Sequence, residues 1–358
     1  MTATEQSSTG VLHVHSDESG SGGALQEIVE AAEDSGLDFL ALTDRGSRGY
    51  GERLKEGWRG RVFVLFGEEV STPEGHFLAL GGTESLGPQE SLAAALEKAR
   101  SLGMLRASIH HQLAESPTGR NRPVPPPVPL DQAELLEIWS FFDDYLVHVT
   151  PRTAASMVDK PEKVLSGPTR RLMRLWDAEL ARRPLPVFGG ANAHRKKHPL
   201  LDWAMFFPYR TSFSAVRTVL PGVVLHRGMG VEGARRAVLG ALRRGKCYIV
   251  NEALAAGKGF EFEFAPHRGK RRFFMGGQAP LGGGGVLHIT VPEKAEIVLR
   301  LDGQPLYWGT GSRLDFPCVL PGIYRVEVLL ERRMWIVSNP IRVYAHGKAP
   351  QPTVSDVT

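Results

Sequence analysis

Cysteine is almost absent from this chain. Cys247 and Cys318 are its only two in 358 residues, and they stand far apart, which excludes a disulfide framework and a thiolate zinc site. Long apolar runs are missing too, since none reaches the roughly 20 residues that a bilayer-spanning helix needs. The opening MTATEQSSTG has neither the basic start nor the apolar core of a secretory signal. A cytoplasmic protein with no membrane partner is therefore expected. Charge of one sign is also lacking: 43 Lys and Arg stand against 39 Asp and Glu, a net charge of +4. The basic residues gather only in short clusters, Arg195-Lys196-Lys197, Arg243-Arg244 and Lys270-Arg271-Arg272. Without a basic stripe, nucleic acid is not an expected partner. The last two clusters read as solvated surface. The first directly follows His194 and would favour an anionic substrate.

What is present is a change of periodicity. Residues 1–10 are polar and read as a disordered tail. From residue 11, strand-like runs alternate with helical spacing: strands over 11–16, 39–43, 61–66, 76–80, 106–110, 135–139, 186–190 and 247–250, helices over 25–34, 92–102, 171–181 and 231–244. The proline-rich RPVPPPVPL lies in a stretch, 116–130, that cannot be regular helix or central sheet and reads as a loop over a pocket. Such alternation argues for a closed α/β barrel across 11–255. Beyond residue 256 the helices stop. Short strands at 260–264, 286–291, 296–301, 324–330 and 341–344, separated by glycine-rich turns, indicate a β-sandwich-like domain over 256–345. Trp335–Pro340 reads as a strand end and turn, and 346–358 as a second disordered tail.

The chemistry-bearing residues fall at the ends of the barrel strands. His13 and His15 are two apart, and in a strand residues two apart share a face. Glu69 closes the third strand, His110 the run 106–110, and Asn192 and His194 follow the late strand 186–190. Alone, each is more often a cap or a core residue than a ligand. Together, at the barrel face where such folds place their sites, they form a candidate metal centre. Imidazole and carboxylate without thiolate suit Zn²⁺, Mn²⁺ or Fe²⁺.

The ordered series LHVHSD, FLALTDR, FGEEVSTPEGHFLALGG, ASIHH, ELLEIW and VFGGANAH resembles the PHP (polymerase and histidinol phosphatase) superfamily, in particular its stand-alone metal-dependent phosphoesterases. The resemblance covers most of 11–250 and implies a distorted (β/α)₇ TIM-like barrel binding up to three metal ions. Carried over by position, it implies His13 and His15 as the opening ligand pair, Glu69 as a bridging carboxylate, His110 as the mid-chain ligand and His194 as the last imidazole. His76 falls in the glycine-histidine strand and would line the pocket.

The departures from that pattern are equally specific. Ser19-Gly20-Ser21 stands where the family has Ser-Asp-Gly, Arg45 where Thr-Asp-His would end, His111 where a proline follows the histidine, and Asn192 where an aspartate precedes the last histidine. One metal subsite should be lost or weakened, with the Arg45 guanidinium as a fixed cation suited to an anion. Asn192 offers only a neutral oxygen; Asp17 and Glu68 are the nearby carboxylates available as substitutes. One or two divalent ions are expected. The expected activity is a metal-dependent hydrolase, preferably a phosphoesterase, acting through metal-activated water with no side chain assigned as catalyst. Arg45, His76 and Arg195 would contact a small anionic or ester substrate. The alternatives are a catalytically degenerate binding or interaction module, and a carbamate or carboxylic ester hydrolase.

Overall fold

The computed structural model describes residues 6–19, 23–46, 56–82, 84–113, 126–150, 152–158, 160–195, 197–198, 201–205 and 207–345. Seven strands close into a ring: β1 (Ser7–Val14), β2 (Phe39–Leu42), β3 (Val62–Thr72), β4 (Gly75–Leu80), β5 (Leu105–Ser108), β6 (Leu135–Ser140) and β7 (Val187–Ala193). Each hydrogen-bonds to the next, and β7 returns in parallel to β1. The ring is not uniform. β4 is antiparallel to both of its neighbours, because β3 turns back through a tight hairpin instead of a helical crossover.

Helices are therefore few. The long ones are α1 (Leu25–Asp34), α2 (Leu92–Ser101), α3 (Phe141–His148), α4 (Arg170–Leu180) and α5 (Gly230–Arg243). Three start on side-chain caps, from Ser91, Ser140 and Thr169. α1 buries Ile28, Val29, Ala31 and Ala32 at helical spacing, packed in one cluster with Val11, Leu40 and Val64 of the sheet. The barrel strands are buried along almost their whole length, as strands covered on both faces must be.

The sheet does not end at the barrel. β8 (Val216–Pro221) pairs antiparallel with the first half of β1 and with β9 (Tyr248–Asn251). β9 in turn pairs with a late strand, so the C-terminal strands continue the same hydrogen-bonded network. These are β10 (Glu261–Pro266), β11 (Gly285–Leu301), β12 (Gln304–Cys318), β13 (Gly322–Leu330), β14 (Arg333–Ser338) and β15 (Ile341–Tyr344). Their inward residues recur every second position, as in Phe262 and Phe264, Leu287 and Ile289, Val326 and Val328, all in one core cluster. Among the described residues no helix is long and apolar enough to cross a membrane.

Several sequence readings need correction. Ser7–Gly10, read as part of a disordered tail, forms the outer half of β1 because β8 supplies its partner strand. The third strand runs on to Thr72, so Glu69 lies within it, opposite Leu78, instead of at its end. The runs 286–291 and 296–301 belong to a single long strand with a register shift between Thr290 and Ala295, around Pro292. Trp335–Pro340, read as a strand end and turn, is the end of β14 and its connection to β15; the strand itself begins earlier, at Arg333, and pairs with β9 and β13. The tail from 346 and most of the proline-rich loop, 114–125, lie outside the described residues, as do Gly20 and Ser21.

Candidate metal centre

The barrel wall is locally distorted where the site residues sit. His13, His110 and Asn192 have φ values of 62°, 63° and 46°, in the left-handed region that non-glycine residues rarely occupy. Such conformations cost roughly 1–3 kcal/mol each and gather at functional sites. At His13 the distortion is a break in register of β1 against both β2 and β7. Simple strand alternation therefore does not bring His13 and His15 to one pocket. A bulge at His13 does, with His15 just beyond the strand.

Glu69 is the hub. His15 Nε2 lies 2.9 Å and His13 Nε2 3.5 Å from its Oε2. On Oε1, Arg45 Nη2 approaches to 2.9 Å, His76 Nδ1 to 3.2 Å and His110 Nε2 to 3.6 Å. Apart from Arg45, these side chains are almost wholly buried. The contacts are short, yet none is aligned as a hydrogen bond. Among the described residues, both Glu69 oxygens, His13 Nε2, His15 Nε2, His76 Nδ1 and Asn192 Oδ1 are buried without a hydrogen-bond partner. Leaving so many buried polar atoms unpaired is costly. A divalent cation accepting their lone pairs removes that cost, so the donor set fits a metal ion. Among the described residues, three overlapping groups meet the geometric requirement: His13, His15 and Glu69; Glu69, His76 and His110; His110, Glu137 and Asp143.

Behind the imidazoles stands an outer set of acceptors. Glu137 receives His13 Nδ1 at 2.9 and 3.1 Å. Asp143 receives His110 Nδ1 at 3.1 Å and the Asn192 amide nitrogen at 3.0 Å. His15 and His76 have hydroxyls there instead: Ser19 Oγ is 3.4 Å from His15 Nδ1, and Ser71 Oγ contacts His76 Nε2. This fixes which ring nitrogen faces the centre of the site. Room for Glu137 depends on Gly190, where a Cβ would collide with Glu137 Oε1.

The same division sets the protonation. Burial pulls His13 down, but Glu137 and then Glu69 outweigh it and leave it raised. Burial opposes His110 likewise, and Asp143 with Glu69 lifts it to about 10. Without a carboxylate behind them, His15 and His76 are lowered to about 4, chiefly by burial. Burial works against ionised Glu69, yet His110, His13 and His15 hold it well below the usual carboxylate range. Burial raises Glu137 against the pull of His13. The carboxylates behind His13 and His110 thus favour their charged forms, whereas burial favours the neutral form of His15 and His76.

The structure thus brings His13, His15, Glu69, His76, His110 and Arg45 around one carboxylate. His194 stacks on His15 with ring centroids 4.2 Å apart and packs edge-on against Phe142. Asn192 turns its amide nitrogen to Asp143 and leaves its oxygen unpaired. Arg195 is at the exposed rim, paired with Glu27 at 2.9 Å. Neither carboxylate considered as a substitute ligand joins the cluster. Glu68 points to the other side of β3 and accepts from Leu86 N and Ser85 Oγ, and Asp17 is exposed. Asp44 is engaged by Ser16 and Ser19.

Glu137 and Asp143 had no role assigned from the sequence. A lone acid inside the apolar run Leu135–Ser140 was a usable signal for Glu137. Asp143 was masked by Ser140, whose hydroxyl accepts from Asp143 N at 3.4 Å and makes the pair look like an ordinary helix start.

No protein-family model matches the chain, and no curated protein matches it. Among solved structures, one similar chain is from Bacteroides vulgatus, a two-domain protein containing a predicted PHP-like metal-dependent phosphoesterase. It is 14% identical, with a TM-score of 0.42 over 93% of this chain and 95% of that one. A likeness of that degree leaves family and chemistry to be decided by the side chains.

Proposed function

We propose that the protein is a metal-dependent hydrolase of ester bonds, with phosphoesters as the preferred class and carbamate or carboxylic esters as the variant. The observation that carries this reading is the convergence of buried, unpaired imidazole nitrogens on both oxygens of Glu69. His13, His15, Glu69 and His110 would hold one or two ions of zinc, manganese or iron. Such an ion supplies Lewis acidity, polarising a phosphoryl or carbonyl oxygen and acidifying water at neutral pH. Arg45 keeps its side chain 38% exposed while touching Glu69. It can therefore present its other donors to an incoming anion and neutralise charge that develops on it. His76, lowered to about 4, is neutral at working pH and turns Nδ1 toward Glu69, where it would line the pocket without adding charge. The substrate would be a small anionic ester, without nucleic acid or membrane.

The test is turnover of an aryl phosphate, a phosphodiester and an aryl ester by protein loaded with Mn²⁺ or Zn²⁺. Rates above those of the His13→Ala/His15→Ala double variant are expected for at least one of them; equal rates would exclude hydrolysis of these classes. One observation favours the second reading, a barrel that binds without catalysis. Arg45 already holds Glu69 Oε1, and Asn192 has replaced a charged ligand with a neutral one turned towards Asp143.

A further inference from the structure

Asp44 lies two residues beyond β2 and is almost wholly buried. Its carboxylate accepts three hydrogen bonds. Ser16 N at 2.7 Å and Ser19 Oγ at 2.5 Å donate to Oδ1, and Ser16 Oγ at 2.6 Å donates to Oδ2. Its main-chain oxygen accepts from Glu69 N at 3.2 Å. One residue thus joins the turn after His15 to the strand that carries Glu69.

The two bonds from Ser16 have a structural reason. Ser16 opens the short helical turn Asp17–Ser19, with Glu18 N donating to its Oγ at 3.2 Å and Ser19 N to its carbonyl at 3.3 Å. That turn closes without the Ser19 side chain. The Ser19 hydroxyl has a different neighbour, His15 Nδ1 at 3.4 Å. A hydroxyl has one proton to give. Of the three acceptors around it, Asp44 Oδ1 is the nearest, ahead of Ser16 O at 3.2 Å and His15 Nδ1. With its proton on the Asp44 side, Ser19 Oγ can only accept from His15. A neutral His15 then carries its proton on Nδ1 and turns the lone pair of Nε2 toward Glu69 Oε2, 2.9 Å away.

We propose that Asp44 is a positioning residue for the metal ion, acting through the Ser19 hydroxyl to fix the tautomer and ring orientation of His15. It does for His15, at one remove, what Glu137 does for His13 and Asp143 for His110. The inference rests on the metal centre proposed for His15 and Glu69.

The experiment titrates full-length protein stripped of metal with Co²⁺, reading the visible absorption of the bound ion, and with Zn²⁺ against a chromophoric chelator. Tm in chelator is recorded for each variant. Ser19→Ala should weaken both ions about tenfold or more, the usual effect of losing an outer partner. It should also change the Co²⁺ spectrum while leaving Tm in chelator close to that of wild type. Ser19→Thr, which restores the hydroxyl, should recover most of the affinity. Asp44→Asn should lose at least as much as Ser19→Ala, and the double variant little more than Asp44→Asn, because both changes break one path. Where Asp44→Asn fails to fold, the two Ser19 variants decide. Wild type that binds neither ion would remove the metal centre and this inference with it. If wild type binds, three results would overturn the role of Asp44 and leave the metal centre standing: equal affinity in Ser19→Ala, a loss that Ser19→Thr does not recover, or losses that add in the double variant.

Discussion

His13 and Glu137 stand back to back in the barrel wall, and this pair makes the site sensitive to a single atom. The Glu137 carboxylate accepts the Nδ1 proton and so turns Nε2 toward Glu69. Glu137→Gln keeps the shape but removes the charge that fixes this tautomer. Loss of such an outer partner typically weakens metal binding 10–100-fold. Competition with a chromophoric chelator should show that drop for Glu137→Gln, with little change in secondary structure. An unchanged affinity would mean that Glu137 only fills space. At this scale the sequence was informative about what meets Glu69 and silent about what stands behind it. His13, His15, Glu69 and His110 carry recognisable ligand chemistry in a recognisable order. Glu137 and Asp143 look like one strand acid and one helix start until the chain is folded.

At the scale of elements, the barrel strands and the long helices were legible because burial on one or both faces imposes periodicity. β12 was not, because it is an edge strand whose residues alternate between exposed and half-buried, with Pro305, Gly309, Gly311 and Pro317 along it. Of β14 only the end was legible, because its partners, β9 and β13, are fixed by tertiary pairing alone. Contact between barrel and C-terminal strands rests on another feature hidden in sequence. Arg325 of β13 is buried, bonded twice to Asp177 of α4 at 2.8 Å, paired with Glu327 at 2.5 Å and set over the Trp176 ring. Removing one partner of a buried ion pair strands the others, at a cost of about 3–5 kcal/mol. Arg325→Leu should therefore lower the unfolding free energy read from urea denaturation by an amount in that range. The double variant with Asp177→Leu should recover part of the loss. A change below about 1 kcal/mol would show the cluster to be energetically neutral.

For the whole molecule, the buried histidines make stability depend on pH in opposite directions. His15, His76 and His111 are lowered to about 4 in the fold, mainly by burial. Unfolding raises them to about 6.5. Between those values the unfolded chain binds more protons, so stability falls as pH drops from 6.5 towards 4. His110 is raised to about 10, so between 6.5 and 10 the folded chain binds more protons and stability falls as pH rises. In chelator, Tm should peak near neutral pH and decline on both sides. A monotonic rise from pH 5 to 9 would contradict the arrangement of Asp143 behind His110. Metal should flatten the alkaline limb, since binding replaces the His110 proton at the face of the site.

The most direct measurement is the metal content of protein purified without chelator, with Tm recorded before and after metal is restored. Wild type should carry about one to two equivalents of zinc, manganese or iron and gain stability on reloading. Glu69→Ala, which removes the carboxylate that every imidazole of the cluster faces, should carry almost none. Wild type with well under one equivalent and no gain in Tm would contradict a metal centre built on Glu69.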